Sequence, residues 1–332
     1  MRVLIIRLSS IGDVILTTPV LKELKKKYPD IIIDFLVMEN FKDAISGCPY
    51  IDNLILFNKK KHDGLKNMIA FGKKLKLNNY DYVFDLHAKV RSKVISNTIG
   101  SKTFTYKKRS LLKSILVKTK AIKYKVDDTI IKNYFGAFKV LGLEYNGEDL
   151  TFSFEKKDLE KLETLCIEYD NVPMIAPGAS KETKKWTKEG FAQLSKLLYN
   201  KYGKKPIIIG SSNEYEMCEE IKNLADGVAI NLAGKLTLKE SGALLSKARF
   251  LVTNDSGPFH IARGVKCPTF VIFGPTSPGM FEYDRKNVLI YLNEPCSPCS
   301  LHGDKVCPQK HFNCMKKLNA EMIMEAIEKN GR

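Results

Sequence analysis

The chain has 332 residues, 44% of them hydrophobic, and a net charge of +17 at pH 7; it is longer than one core comfortably fills, and its apolar share excludes general disorder. No apolar run approaches the ~18 residues of a membrane span, and the start, with Arg2 and Arg7 inside a strand pattern, lacks a small-residue cleavage site, so a cytoplasmic protein is expected. The charge is uneven: residues 59–125 hold 19 Lys and Arg against Asp63, Asp81 and Asp85, which predicts a positive field drawn to an anionic membrane surface or a phosphorylated substrate.

Taken in chain order, strand-like runs at 3–8, 31–37, 54–57, 82–86 and 103–106 alternate with helical patterns at 14–28, 64–77 and 90–98. A helix over 129–141 leads into a Gly- and acid-containing stretch at 142–151. The alternation then restarts, with strands at 174–176, 206–209, 228–231, 250–253 and 269–273 and helices near 188–202, 214–225, 237–247 and 259–263. This predicts two doubly wound α/β domains, 1–150 and 151–332, each Rossmann-like and together facing a cleft.

Three loops carry the chemistry. Ser9-Ser10-Ile11-Gly12-Asp13 follows the first strand, and Gly12 allows close backbone approach where Asp13 would project above the sheet edge. Asn254-Asp255-Ser256-Gly257-Pro258 joins a buried strand to a helix, whose first N–H groups and positive dipole end suit a diphosphate. Gly274-Pro275-Thr276-Ser277-Pro278-Gly279 ends the next strand in the same abrupt way. Other nucleotide motifs are missing: no G-x-G-x-x-G follows a strand, and Gly227 to Gly234-Lys235-Leu236 has the wrong spacing for a phosphate-binding P-loop. The basic segment has no recognition-helix, aromatic-stacking or zinc-finger signature, so nucleic acid is not an expected partner.

With Ser10-x-Gly12-Asp13, Pro177-Gly178-Ala179-Ser180, Lys184-Lys185-Trp186, Asn254-Asp255-Ser256-Gly257-Pro258-x-His260 and Gly274-Pro275-Thr276-x-Pro278-Gly279 in this order, the chain resembles the bacterial heptosyltransferases of lipopolysaccharide core synthesis, glycosyltransferase family 9. Cys296-Ser297-Pro298-Cys299 and Cys314-Met315 fit the same pattern. The resemblance covers the whole chain. It implies a GT-B fold, an inverting transfer from ADP-heptose to a phosphorylated glycolipid acceptor, work at the cytoplasmic face of the inner membrane, and no cofactor required for the chemistry. It also implies a last helix, 319–329, that crosses back to the N-terminal domain.

Inversion at an anomeric carbon needs one base for the acceptor hydroxyl, and a diphosphate is a leaving group that needs no strong acid. That role falls to Asp13. On the donor side the resemblance assigns Lys184 to the diphosphate and Glu214 to the ribose, with Ser180 and Lys185 beside them. Backbone amides of Ser256 and Gly257 would hold phosphate oxygens, with Asp255 and His260 orienting the sugar or its leaving oxygen. For the acceptor, Ser10, Gly12, and Lys89 and Arg91 from the Asp85-Leu86-His87-Ala88-Lys89 segment are the expected contacts.

Of the eight cysteines, Cys296, Cys299, Cys307 and Cys314 cluster with a spacing that can enclose a structural zinc, with His302 and His311 as substitutes. Two further functional classes fit the residues: a transferase for another nucleotide-diphosphate sugar of cell-surface glycans, and a non-catalytic basic protein that binds nucleotide, nucleic acid or membrane.

Overall fold

In the computed structural model, which describes residues 1–106 and 128–332, the chain divides between Ser153 and Phe154 into two compact units. The basic block Lys107-Lys108-Arg109 lies outside the described residues.

The first unit is a five-stranded parallel sheet built from β1 (Arg2–Ile6), β2 (Ile32–Met38), β3 (Asn53–Phe57), β4 (Tyr82–Asp85) and β5 (Lys102–Thr105), in the order β3-β2-β1-β4-β5. Strands buried on both faces read as continuous apolar runs, as residues 3–6 do at 0% exposure. One face packs Leu4, Ile6 and Val83 against Met68 and Leu75 of α4 (Leu65–Lys76) and Ile95 of α5 (Val90–Ile99). On the other face Phe84 stacks on Phe138, which follows α6 (Ile130–Ala137), at 3.9 Å between ring centroids.

Two helical patterns split where the backbone interrupts them. The expected helix over 14–28 forms α1 (Ile11–Ile15) and α2 (Thr18–Lys27), and starting α1 at Ile11 places Asp13 within its first turn. Pro19 sits at the second residue of α2, where a missing N–H costs no helix bond. Similarly, Gly64 at φ +89° separates α3 (Lys59–His62) from α4.

The second unit is a six-stranded parallel sheet of β6 (Pro173–Ala176), β7 (Ile207–Ile208), β8 (Ile230–Asn231), β9 (Phe250–Asn254), β10 (Thr269–Phe273) and β11 (Asn287–Tyr291), ordered β11-β10-β9-β6-β7-β8. Helices α8 (Lys188–Tyr202), α9 (Tyr215–Leu224) and α13 (Ala320–Lys329) share one core cluster with Ile175, Val252 and Ile272. A second group packs together, α7 (Lys156–Glu163), α10 (Leu238–Lys247) and α11 (Gly257–Gly264).

The last helix, α13, buries Ala320, Ile323 and Ile327 in the second unit's cluster and pairs Glu328 with Lys201 of α8 at 2.5 Å. Its apolar residues recur at helical spacing and fit the face that α8 leaves open.

In each sheet the chain leaves its first strand toward one edge and later returns to the other side of it, so the strand order reverses between β1 and β4 and again between β6 and β9. Loops leaving the carboxyl ends of such strand pairs diverge to opposite faces and open a crevice, the usual ligand position in open α/β sheets. The loops singled out from sequence leave β1, β4, β6 and β9 and, one strand out, β10.

Candidate active site

At the β1 and β4 ends, the carboxylate of Asp13 is held through one oxygen. Its Oδ2 takes Arg7 Nη2 at 2.7 Å, Ser10 Oγ at 3.0 Å and the Ser10 backbone N–H at 3.3 Å. Asp13 is therefore both the third residue of a capped helix turn and one half of an ion pair. Arg7 is 6% exposed, donates through Nη1 to the Leu86 carbonyl and lies over the Tyr134 ring at 5.6 Å. Burial pushes the Asp13 pKa up, but Arg7 and the Ser10 hydrogen bonds outweigh it and hold the carboxyl below its ordinary value.

Next to it, Asp85 organises the loop after β4. Its Oδ1 accepts the N–H groups of His87 at 3.0 Å and Ala88 at 2.9 Å, and its Oδ2 accepts Ser92 Oγ at 2.8 Å. This turns Ala88 to φ +51° and starts α5 at Val90. A cavity of about 640 Å³ opens here, lined by His87, Lys89, Arg91, Lys93 and Asp63. Lys89 is exposed at its rim. Arg91, on the same lining, forms a two-pronged pair with Asp63 at 2.8 and 3.0 Å.

At the β6 and β9 ends, Asn254 joins the two loops. Its Oδ1 accepts the Trp186 N–H at 3.0 Å and its Nδ2 donates to the Pro177 carbonyl at 2.7 Å. The lysine-bearing turn is thereby fixed beside Asp255, and Lys184 Nζ meets Asp255 Oδ2 at 2.6 Å with both side chains nearly enclosed, 12% and 9% exposed. Thr276 Oγ1 donates to the same oxygen at 3.2 Å. Ser256 precedes the first residue of α11, whose leading N–H groups have no intrahelical partner.

Glu214 closes the turn before α9, accepting the Ser211 N–H at 2.7 Å and Ser211 Oγ at 2.8 Å through Oε2. Its Oε1 lies so close to Gly178 that a Cβ there would overlap it. Ser180 is exposed on the same loop.

Two donor candidates are placed elsewhere. Lys185 Nζ turns back to Glu182 at 2.6 Å, since adjacent residues in an irregular turn point apart. His260 is 5% exposed with its ring 5.1 Å from that of Phe281, beneath the loop rather than on it.

Cys296, Cys299, Cys307 and Cys314 are free thiols, and among the described residues no three His, Cys, Asp or Glu side chains group to hold a metal ion. Burial, and then the neighbouring thiols, push Cys299 up to about 11 and Cys314 up to about 12. Their loop also braces the turns around Thr183 and Pro275. The N–H groups of Cys299 and Ser300 both bond the Pro275 carbonyl at 3.0 Å. Thr183 and Asp304 bond reciprocally, Thr183 N–H to the Asp304 carbonyl at 3.1 Å and Asp304 N–H to Thr183 Oγ1 at 2.8 Å.

Sequence reasoning missed Arg7, Asn254 as a latch, Thr276 and the 303–304 turn as site-forming residues. Arg7 carried a signal, a charged residue directly after a fully apolar strand; the turn's contact with Lys184 carried none.

Comparison with known proteins gives the family and the fold. The model of glycosyltransferase family 9 (heptosyltransferase) matches residues 68–311, more than half of the chain. Lipopolysaccharide heptosyltransferase 1 of Campylobacter coli is 29% identical, covering 99% of this chain and 98% of that one. Lipopolysaccharide heptosyltransferase 3 of Escherichia coli is 28% identical over 80% of each. Among solved structures, E. coli ADP-heptose lps heptosyltransferase II superposes with a TM-score of 0.75 at 18% identity, over 99% of this chain and 98% of that one. E. coli heptosyltransferase WaaC with ADP gives 0.72 at 22% identity over the whole of both. The two-sheet architecture is the GT-B fold.

Proposed function

The chain belongs to glycosyltransferase family 9, and from that premise we propose that this transferase moves a heptose, with inversion, from ADP-heptose to the inner core of lipopolysaccharide at the cytoplasmic face of the inner membrane. The lipopolysaccharide heptosyltransferases among its relatives and the ADP bound to one structural neighbour support the substrate pair. The observation that carries the chemistry is the enclosed Lys184 cation beside the start of α11, at the carboxyl ends of β6 and β9. A cation and oriented N–H groups suit a diphosphate leaving group, and they supply the charge stabilisation that makes a metal unnecessary.

In this reading Asp13, ionised by Arg7, takes the proton of the acceptor hydroxyl as it attacks the anomeric carbon. The ADP departs with its charge on Lys184 and the Ser256 and Gly257 amides. Glu214 offers its carboxylate to the ribose hydroxyls, and Ser180 a hydroxyl to the diphosphate. Lys89, at the 640 Å³ cavity, meets anionic groups of the acceptor, with Ser10 and Gly12 at the reacting end.

The test is calorimetric titration with ADP, UDP and GDP without divalent metal, paired with a transfer assay of Asp13→Asn. The expected result is selective ADP binding, unchanged in Asp13→Asn, with transfer lowered about 100-fold to 10,000-fold, the usual contribution of a general base. Selective UDP or GDP binding would replace the sugar, and undiminished transfer by Asp13→Asn would remove it as the base.

A further inference from the structure

Arg7 is a buried cation with its two terminal nitrogens committed in different directions. Nη2 holds Asp13 Oδ2 at 2.7 Å, and Nη1 bonds the Leu86 carbonyl of the neighbouring strand's loop. The guanidinium lies on Tyr134 of α6, 5.6 Å from the ring centroid. It thus spans three elements, the end of β1, the end of β4 and α6, and has little freedom to turn.

The contacts on Asp13 are one-sided. Arg7, Ser10 Oγ and the Ser10 N–H all end on Oδ2; among the described residues no side-chain or backbone hydrogen bond ends on Oδ1, and the side chain is 33% exposed. A carboxylate held by one oxygen presents the other in a fixed direction. From this geometry, and resting on the reading of Asp13 as the base, we propose that Arg7 is a positioning residue that anchors Oδ2 and leaves Oδ1 as the atom that accepts the acceptor hydroxyl's proton.

The groups around the pair agree with this role. Tyr106, beyond β5, and Tyr134 also face Arg7, and burial raises both phenols, Tyr134 well above its ordinary value, so they stay neutral and leave Asp13 as the carboxylate that Arg7 balances. Asp85 on β4 acts on Tyr106 in the same sense. Burial works against the Arg7 charge, but the Asp13 carboxylate and its hydrogen bond offset that cost, so Arg7 stays a cation. Asp13 is consequently ionised throughout the neutral range, and the acid limb of the rate should lie below the ordinary carboxylate range. Removing the Arg7 charge raises the folded-state pKa of Asp13, so the acid limb must move to higher pH.

The experiment compares Arg7→Met, Arg7→Gln and Arg7→Lys with the wild type and with Asp13→Asn, measuring kcat, donor KM and the pH profile of kcat/KM, which reports the free enzyme, for heptosyl transfer from ADP-heptose, with circular dichroism as the folding check. A misplaced base costs up to about 100-fold. The expected result is a kcat loss of about 10-fold to 100-fold in Arg7→Met and Arg7→Gln, an unchanged donor KM, an acid limb moved upward, and recovery of the limb and most of the rate in Arg7→Lys. A purely structural Arg7 would lower the yield of folded protein without moving the limb, and that outcome overturns the proposal. Wild-type kcat and limb in either folded neutral variant, with Asp13→Asn inactive, would overturn the Arg7 role and leave the base in place. Full activity of Asp13→Asn would overturn both. If neither neutral variant folds, Arg7→Lys decides: an unshifted limb with most of the rate kept supports the proposal, and a shifted limb or a kcat loss as large as that of Asp13→Asn overturns it.

Discussion

Lys184 and Asp255 each have a plausible role facing substrate, yet they first satisfy each other. At 2.6 Å and with side chains only 12% and 9% exposed, neither charge has much water to fall back on. Removing one partner of such a pair strands the other and typically costs about 3–5 kcal/mol, whereas removing both costs far less. Lys184→Ala is therefore expected to destabilise the second unit by about 3–5 kcal/mol, and Lys184→Ala with Asp255→Ala by clearly less than the two single effects added. Urea unfolding followed by the fluorescence of Trp186, the chain's one tryptophan, reads this directly, because the residue is 3% exposed and its backbone N–H is tied to Asn254. Additive losses would mean that the pair is solvated and the enclosure unimportant. The lysine was legible in the sequence as a cation after a Pro-Gly turn. Its partner's identity was not, because residues 71 positions apart reveal no pairing without the fold.

At the scale of elements, buried strands were the most legible feature, since β1, β9 and β10 are uninterrupted apolar runs closed by turn residues. Edge strand β11 and the short α7 were missed: five residues of Asn287–Tyr291 and eight of Lys156–Glu163 give periodicity too little length to register. In the segment from β11 to α12 (Asn313–Lys316) the cysteine spacing suggested a metal, and a second task left no signal in the sequence. That task is to brace the loops at Pro275 and Thr183. Gly303 is the tightest point of that brace. It sits at φ +79°, and a Cβ there would come within 2.7 Å of Lys184 Cγ and 2.9 Å of Lys181 Cβ. Gly303→Ala should cost about 1 kcal/mol or more from backbone strain alone, and should weaken ADP binding by displacing Lys184. Thermal unfolding together with ADP calorimetry tests both parts; unaltered affinity in a destabilised variant would show that the brace supports the fold but not the ligand.

For the whole molecule, the charge is the feature that neither sheet explains. No helix among the described residues is long and apolar enough to cross a membrane. Lys59, Lys60, Lys73 and Lys74 are exposed in the first unit, the same unit that carries Asp13 and the Lys89 cavity. Near an anionic surface each Lys or Arg contributes about 1 kcal/mol, an attraction that fades as the Debye length shrinks from about 10 Å at 0.1 M salt to about 3 Å at 1 M. Vesicles rich in phosphatidylglycerol should therefore co-sediment the protein at 0.1 M salt ~ and release it at about 1 M, whereas phosphatidylcholine vesicles should leave it in solution at both. Replacing Lys59, Lys60 and Lys61 by Glu should reduce that binding while leaving ADP affinity unchanged, since these side chains and Lys184 belong to different units. Binding that persists at high salt, or that ignores lipid charge, would assign the attachment to apolar contact, and the basic surface would then serve the acceptor's phosphates alone.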